Sequence, residues 1–195
     1  MRAAALALLV ALAVSRPVAR GSPSREVRAI DAAIARLLSH GIPEFKIKPC
    51  PRCKVAKDVE ARRELAAAID RAAGKHGISA ALLIAVAFRE GGFRRDAVGA
   101  LGELSTFQLA PTWLSRCGCT DLTMHGCATD CAAQLFQSAT RRCGSLEGGF
   151  AWYATGKTCQ TDAYYMRKLV EDRFGIARVL DGWMMRAQMD ARNGG

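Results

Sequence analysis

The sequence predicts a mostly α fold, a helical domain carrying a disulfide-stapled loop insertion. Apolar residues recur at helical spacing along most of the chain, and no stretch shows the alternation of a strand. Five cysteines, Cys117, Cys119, Cys127, Cys131 and Cys143, crowd one turn-rich region, which is the expected insertion. With 195 residues, half of them hydrophobic, the chain is long enough for one domain with its own core. It contains no internal repeat.

Arg2 followed by the apolar run Ala3 to Val14, with small residues at Ala13 and Ser15, reads as a secretory signal peptide over residues 1–20. The alternative is an uncleaved anchor, but the run is shorter than the roughly 20 residues that span a bilayer. No later segment is long and apolar enough to do so. Residues 21–54 read as an accessory helix and strap. Val27, Ile30, Ile34, Leu37 and Leu38 mark the helix, Gly41 and Pro43 end it, and Phe45 to Pro49 is extended. This piece either covers the core or docks a partner.

Residues 55–195 form the main domain. A helix is expected from Val55 to Ala73 with Val59, Leu65, Ala66 and Ile69 on one face, ending at Gly74 or Gly77. Ser79 then caps an apolar helix that closes on Glu90 and runs into Gly91-Gly92-Phe93. A turn-rich stretch through Gly99 and Gly102 leads to Gln108 and to a helix started by Pro111. Beyond the cysteines, helices are expected over Ala132–Thr140 and Leu146–Tyr153, the latter closed by Gly156. A last one runs from Thr161 to Met189, with Gly175 as a break.

An even count of eight cysteines in an exported chain points to disulfides, whose pairing the sequence leaves open. The competing readings are a redox pair or half a zinc site at Cys50-Pro51-Arg52-Cys53, and a metal nest in the central cluster. Export and the lack of paired CxxC motifs favour disulfides. His125, inside the cysteine-rich region, reads as a surface residue. The formal charge of +10 and a pI near 9.6 draw such a protein to polyanions. The basic pairs are spread out and not interleaved with aromatics, so nucleic-acid binding is not expected.

Glu90 is the most informative residue. An acid at the C-terminal end of an apolar helix faces the negative pole of the dipole and apolar neighbours, a setting that disfavours its charged form and suits a proton donor. The plain alternative is a solvated helix-end glutamate. Glu90, then a glycine-rich turn, then Gln108 with Pro111, then Trp152-Tyr153-Ala154-Thr155-Gly156, resembles the lysozyme-like soluble lytic transglycosylase family over about residues 77–156. In that family a helix ends in Glu-Ser-x-Phe, a Gly-Leu-Met-Gln loop and a proline follow, and a distal Ala-Tyr-Asn-x-Gly completes the cleft.

The resemblance implies a lysozyme-like domain that cleaves the β-1,4 bond between N-acetylmuramic acid and N-acetylglucosamine in peptidoglycan. Glu90 takes the place of the catalytic acid and base, Phe93 that of the following aromatic, Gln108 that of the loop glutamine and Tyr153 that of a brace for the acid. It implies peptidoglycan glycan strands as partner, no metal or organic cofactor, and a secreted or periplasmic location without stable membrane insertion after signal cleavage. Oligomeric state is left open. Gly91 stands where the family has serine, and Ala154 where it has asparagine. Glu103-Leu104-Ser105-Thr106-Phe107 lengthens the loop before Gln108. Glu103 and Asp96 are the nearest other acids, and Glu103 is given a supporting role within the loop. The rival reading is a noncatalytic envelope protein that binds glycan on the same fold.

Overall fold

The computed structural model describes residues 22–51 and 53–193, so the signal peptide expected over 1–20 lies outside the described residues. Among them the chain is mostly helical: α1 (Arg25–His40), α2 (Lys54–Lys57), α3 (Val59–His76), α4 (Ala80–Gly91), α5 (Trp113–Cys117), α6 (His125–Cys143), α7 (Leu146–Thr155) and α8 (Tyr164–Asn193). Pairing is limited to isolated bridges, Ile42 with Ile47 in the strap and Leu104 with both Val98 and Leu109. No helix of the described residues is long and apolar enough to cross a membrane.

The helix starts follow side-chain chemistry. Ser24, Asp58, Ser79 and Ser145 each accept from a backbone N–H three residues on, meeting a donor that the first turn leaves unpaired. Asp58 explains why the helix expected from Val55 is two pieces. Its carboxylate takes the Ala61 N–H at 2.9 Å, ending α2 and starting α3.

α4 is the central element. Every residue from Ala81 to Ala87 is buried, as α1, α3 and α8 pack around it and α6 closes over α3 and α7. α1 buries Ile34 and Leu37 completely in the common core, which includes Leu65, Ile69, Ile84, Ile176 and Leu180. Full burial of each such side chain contributes about 1.5–3 kcal/mol before chain entropy is set against it.

Two expectations are corrected. α8 runs unbroken through Gly175, because that glycine makes room for a ring rather than a bend: a β-carbon there would lie 2.3 Å from Phe45 Cζ. The central cysteines staple a helix more than a loop. Cys127, Cys131 and Cys143 all lie on α6, which begins at His125 and not at Ala132. The disulfides are Cys50–Cys53, Cys117–Cys131, Cys119–Cys127 and Cys143–Cys159, leaving no cysteine free.

His125 is also corrected, from surface to buried, with 3% of its surface exposed. Burial lowers its affinity for a proton; beyond that, Glu64 and Asp58 favour the charged ring and Arg95 opposes it. The folded protein thus binds fewer protons at this site than the unfolded chain, whose histidine titrates near 6.5. The stability this provides is complete above that value and is lost as pH falls toward the lowered one. Urea unfolding at a series of pH values is expected to show this acid-side loss, and His125→Gln to flatten it. A slope unchanged in the variant would assign the loss elsewhere.

Candidate active site

Glu90 sits in the last turn of α4, where its side chain keeps 27% exposure. The helix ends at Gly92, whose left-handed backbone (φ 59°) turns the chain and drops Phe93 into the core. Phe93 is fully buried, 5.5 Å from the ring of Phe88, and so packs beneath the end of α4. Asp96 lies with it on the side of His125, lining a cavity of about 270 Å³ that does not include Glu103 or Gln108.

The loop that follows is pressed against α4. Ser105 donates its N–H to Ala97 O at 2.8 Å, while Leu104 and Leu109 exchange two backbone bonds of 2.9 Å. Phe107 is buried as an anchor, and Ser105 and Thr106 are buried with hydroxyls that find no partner among the described residues. Ser105 (φ 69°) and Gln108 (φ 49°) adopt left-handed backbone, a conformation that costs a non-glycine residue about 1–2 kcal/mol. Such strain persists only where surrounding contacts impose it, and it concentrates at functional loops.

That backbone aims two candidate side chains at one spot. Gln108 Nε2 donates to Ser105 O at 3.0 Å, and Glu103 Oε2 accepts from Leu101 N at 3.0 Å. Their oxygens meet over Gly99, where a β-carbon would come within 2.4 Å of Gln108 Oε1 and of Glu103 Oε2. Both residues line a cleft of about 230 Å³ whose other wall is α7, with Trp152, Tyr153, Ala154 and Gly156.

Tyr153 ties this wall of the cleft to the loop that packs on the end of α4. Its ring packs on Phe136 and Phe150, and its hydroxyl donates to Phe107 O at 3.0 Å. Burial, and after it the negative charge of Glu90, pushes the phenol far above its ordinary range, so it stays a neutral donor. Tyr153 therefore braces the Gln108 loop directly, and feels Glu90 only through its field. Tyr153→Phe is expected to lower stability by about 1–3 kcal/mol, since it leaves the Phe107 carbonyl without its donor. Chemical denaturation checks this, and a variant as stable as the parent would show the bond to be idle.

No family model matches the chain, and no curated protein or solved structure does either. Its chemistry rests on the groups in place.

The partner of Glu90 is one the sequence gives no sign of. Arg173, on α8, donates from Nη2 to Glu90 Oε1 at 2.9 Å and from Nη1 to Asp172 Oδ2 at 2.8 Å. Arg89 also grips Asp172, through Nε at 2.9 Å and through Nη2, and donates to Phe45 O at 2.9 Å. The end of α4 is thus tied to α8 and the strap by alternating charges. Glu90 Oε2 accepts no hydrogen bond from a described residue. Glu103, Gln108 and Tyr153 share the cleft, while Glu90 and Phe93 do not line it. Among the described residues no three His, Cys, Asp or Glu side chains converge as a metal site.

Proposed function

We propose that the chain is a peptidoglycan lytic transglycosylase on a lysozyme-like helical domain, with Glu90 as general acid and base. The observation that carries this reading is the packing of the strained Gln108 loop on the end of α4 that bears Glu90: the Thr106 backbone lies against Gly91, and Tyr153 holds the same loop through Phe107 O beside the cleft. Glu90 gives its proton to the glycosidic oxygen as the bond to the sugar carbon breaks, and the substrate's own N-acetyl oxygen stabilises that carbon. The carboxylate then takes a proton from a hydroxyl of the same sugar, whose oxygen bonds to the carbon. Glu90 regains its proton and the product is an internal anhydro sugar.

A second carboxylate is not needed for this route, and Glu103 is occupied in holding its own loop through Leu101. The four disulfides suit an oxidising compartment outside the cytoplasm, where cell wall is found. A net charge of +10 favours approach to an anionic wall.

A noncatalytic glycan-binding protein of the cell envelope is the second reading, favoured by the grip of Arg173 on Glu90 and by Gly91 and Ala154 in place of the family's serine and asparagine. Incubation with purified sacculi separates the two. The expected result is release of muropeptides with anhydro ends by the parent protein and none by Glu90→Gln. Reducing ends would make it a hydrolase; retention on sacculi without product would establish the second reading. Equal release by both proteins would remove Glu90 from the chemistry.

A further inference from the structure

We propose that a second pocket, next to the cleft and built by α5, α6 and α7, binds a carboxylate-bearing substituent of the glycan strand lying in the cleft; this rests on the glycan reading above. The pocket, of about 320 Å³, is lined by Trp113, Arg116, Leu135, Arg142 and Trp152. Trp113, Leu135 and Trp152 also line the cleft, so a single aromatic wall separates the two cavities. A strand held in one has its substituents within reach of the other.

The two indoles meet edge to face at 6.3 Å, and each carries a guanidinium: Arg116 lies 4.9 Å from the ring of Trp113, and Arg142 lies 5.7 Å from that of Trp152. Stacking fixes the plane of a guanidinium while its N–H edge stays free to donate. Neither arginine is paired with a carboxylate of any described residue. Both stand beside a disulfide, Arg116 next to Cys117 of Cys117–Cys131 and Arg142 next to Cys143 of Cys143–Cys159. The segments that present them are stapled in place, which reduces the ordering cost of binding.

Two exposed, pre-positioned guanidinium groups above apolar walls match a carboxylate on an apolar stem, since charge-assisted N–H···O bonds are the strongest such a surface makes. A neutral sugar would use the indoles and leave both charges idle.

Calorimetry on the Glu90→Gln protein, which prevents turnover, compares two ligands of equal sugar length: a neutral chito-oligosaccharide and a peptidoglycan oligosaccharide bearing its lactyl and peptide carboxylates. The carboxylated ligand is expected to bind tenfold or more tightly at low salt, with the preference shrinking as salt screens it. In an Arg116→Gln/Arg142→Gln background the ratio is expected to fall to near one. Both arginines are exposed, so a thermal melt is expected to match the parent. A ratio that survives the double substitution, or is already near one before it, overturns this inference while binding of the neutral ligand still supports the glycan reading. Binding of neither ligand overturns both.

Discussion

Gly91→Ser is expected to lower stability by about 3 kcal/mol or more, although serine is what the resemblance places beside the acid. A β-carbon at position 91 would lie 2.6 Å from Thr106 Cα and O and 2.7 Å from its carbonyl carbon. These are backbone atoms and cannot rotate away. Nor is there slack behind them, for Ser105, Thr106 and Phe107 are all buried and the loop is bonded to Ala97 and to itself. Either α4 or the loop must move, and overpacking that displaces backbone sits at the upper end of the usual cost. For a domain of this size the melting temperature is expected to fall by roughly 6–12 °C. Gly91→Ala is expected to cost nearly as much, because the clash arises at the β-carbon and not at the hydroxyl. Either variant melting within a degree of the parent would show that the loop yields freely and that its contact with α4 is loose.

The same contact accounts for the glycine at position 91, where the resembled motif has serine. The lengthened loop lays Thr106 across the end of α4 at the point where a serine side chain would stand, so the glycine at 91 and the extra residues before Gln108 are two sides of one packing solution. Read as a sequence, they look like independent losses.

What was legible locally was what local chemistry decides. Ser79 starts α4 and Gly156 closes α7 as expected, because a cap needs only its own turn. α6 was only half legible: His125, Gly126, Thr129 and Asp130 are poor helix formers, and the disulfides to Cys117 and Cys119 hold its first turns. The signal was present in Cys127 and Cys131, which are spaced to share one helix face. Gly175 was misjudged, and the role of Phe93 left open, for a common reason. A glycine in a long helix and an aromatic after a turn each have two explanations, and the choice lies with a distant partner: Phe45 for the first, the core behind Phe88 for the second. Arg173 was beyond reach, being one of many basic residues and separated from Glu90 by most of the domain's length.

Glu90→Gln is expected to cut muropeptide release by roughly 10²–10⁴-fold while leaving the fold standing. The amide keeps the volume of the acid and an oxygen that still accepts from Arg173, so the link between α4 and α8 persists. What it lacks is the proton to give and the charge to take one back, and in a mechanism with a single carboxylate both steps fail together. Arg173→Gln is the necessary companion. Arg173 touches the acid through Oε1 and does not line the cleft, so its loss acts by misplacing Glu90 and is expected to cost no more than roughly 10²-fold in release. Its effect on stability is expected to be the larger of the two, since Glu90 and Asp172 lose a partner that is itself only 13% exposed. The two variants therefore rank oppositely in activity and in stability if Glu90 is the catalyst. If Glu90 only anchors α8, activity and stability fall together in both, and the ion pair is a structural tie at the end of an apolar helix.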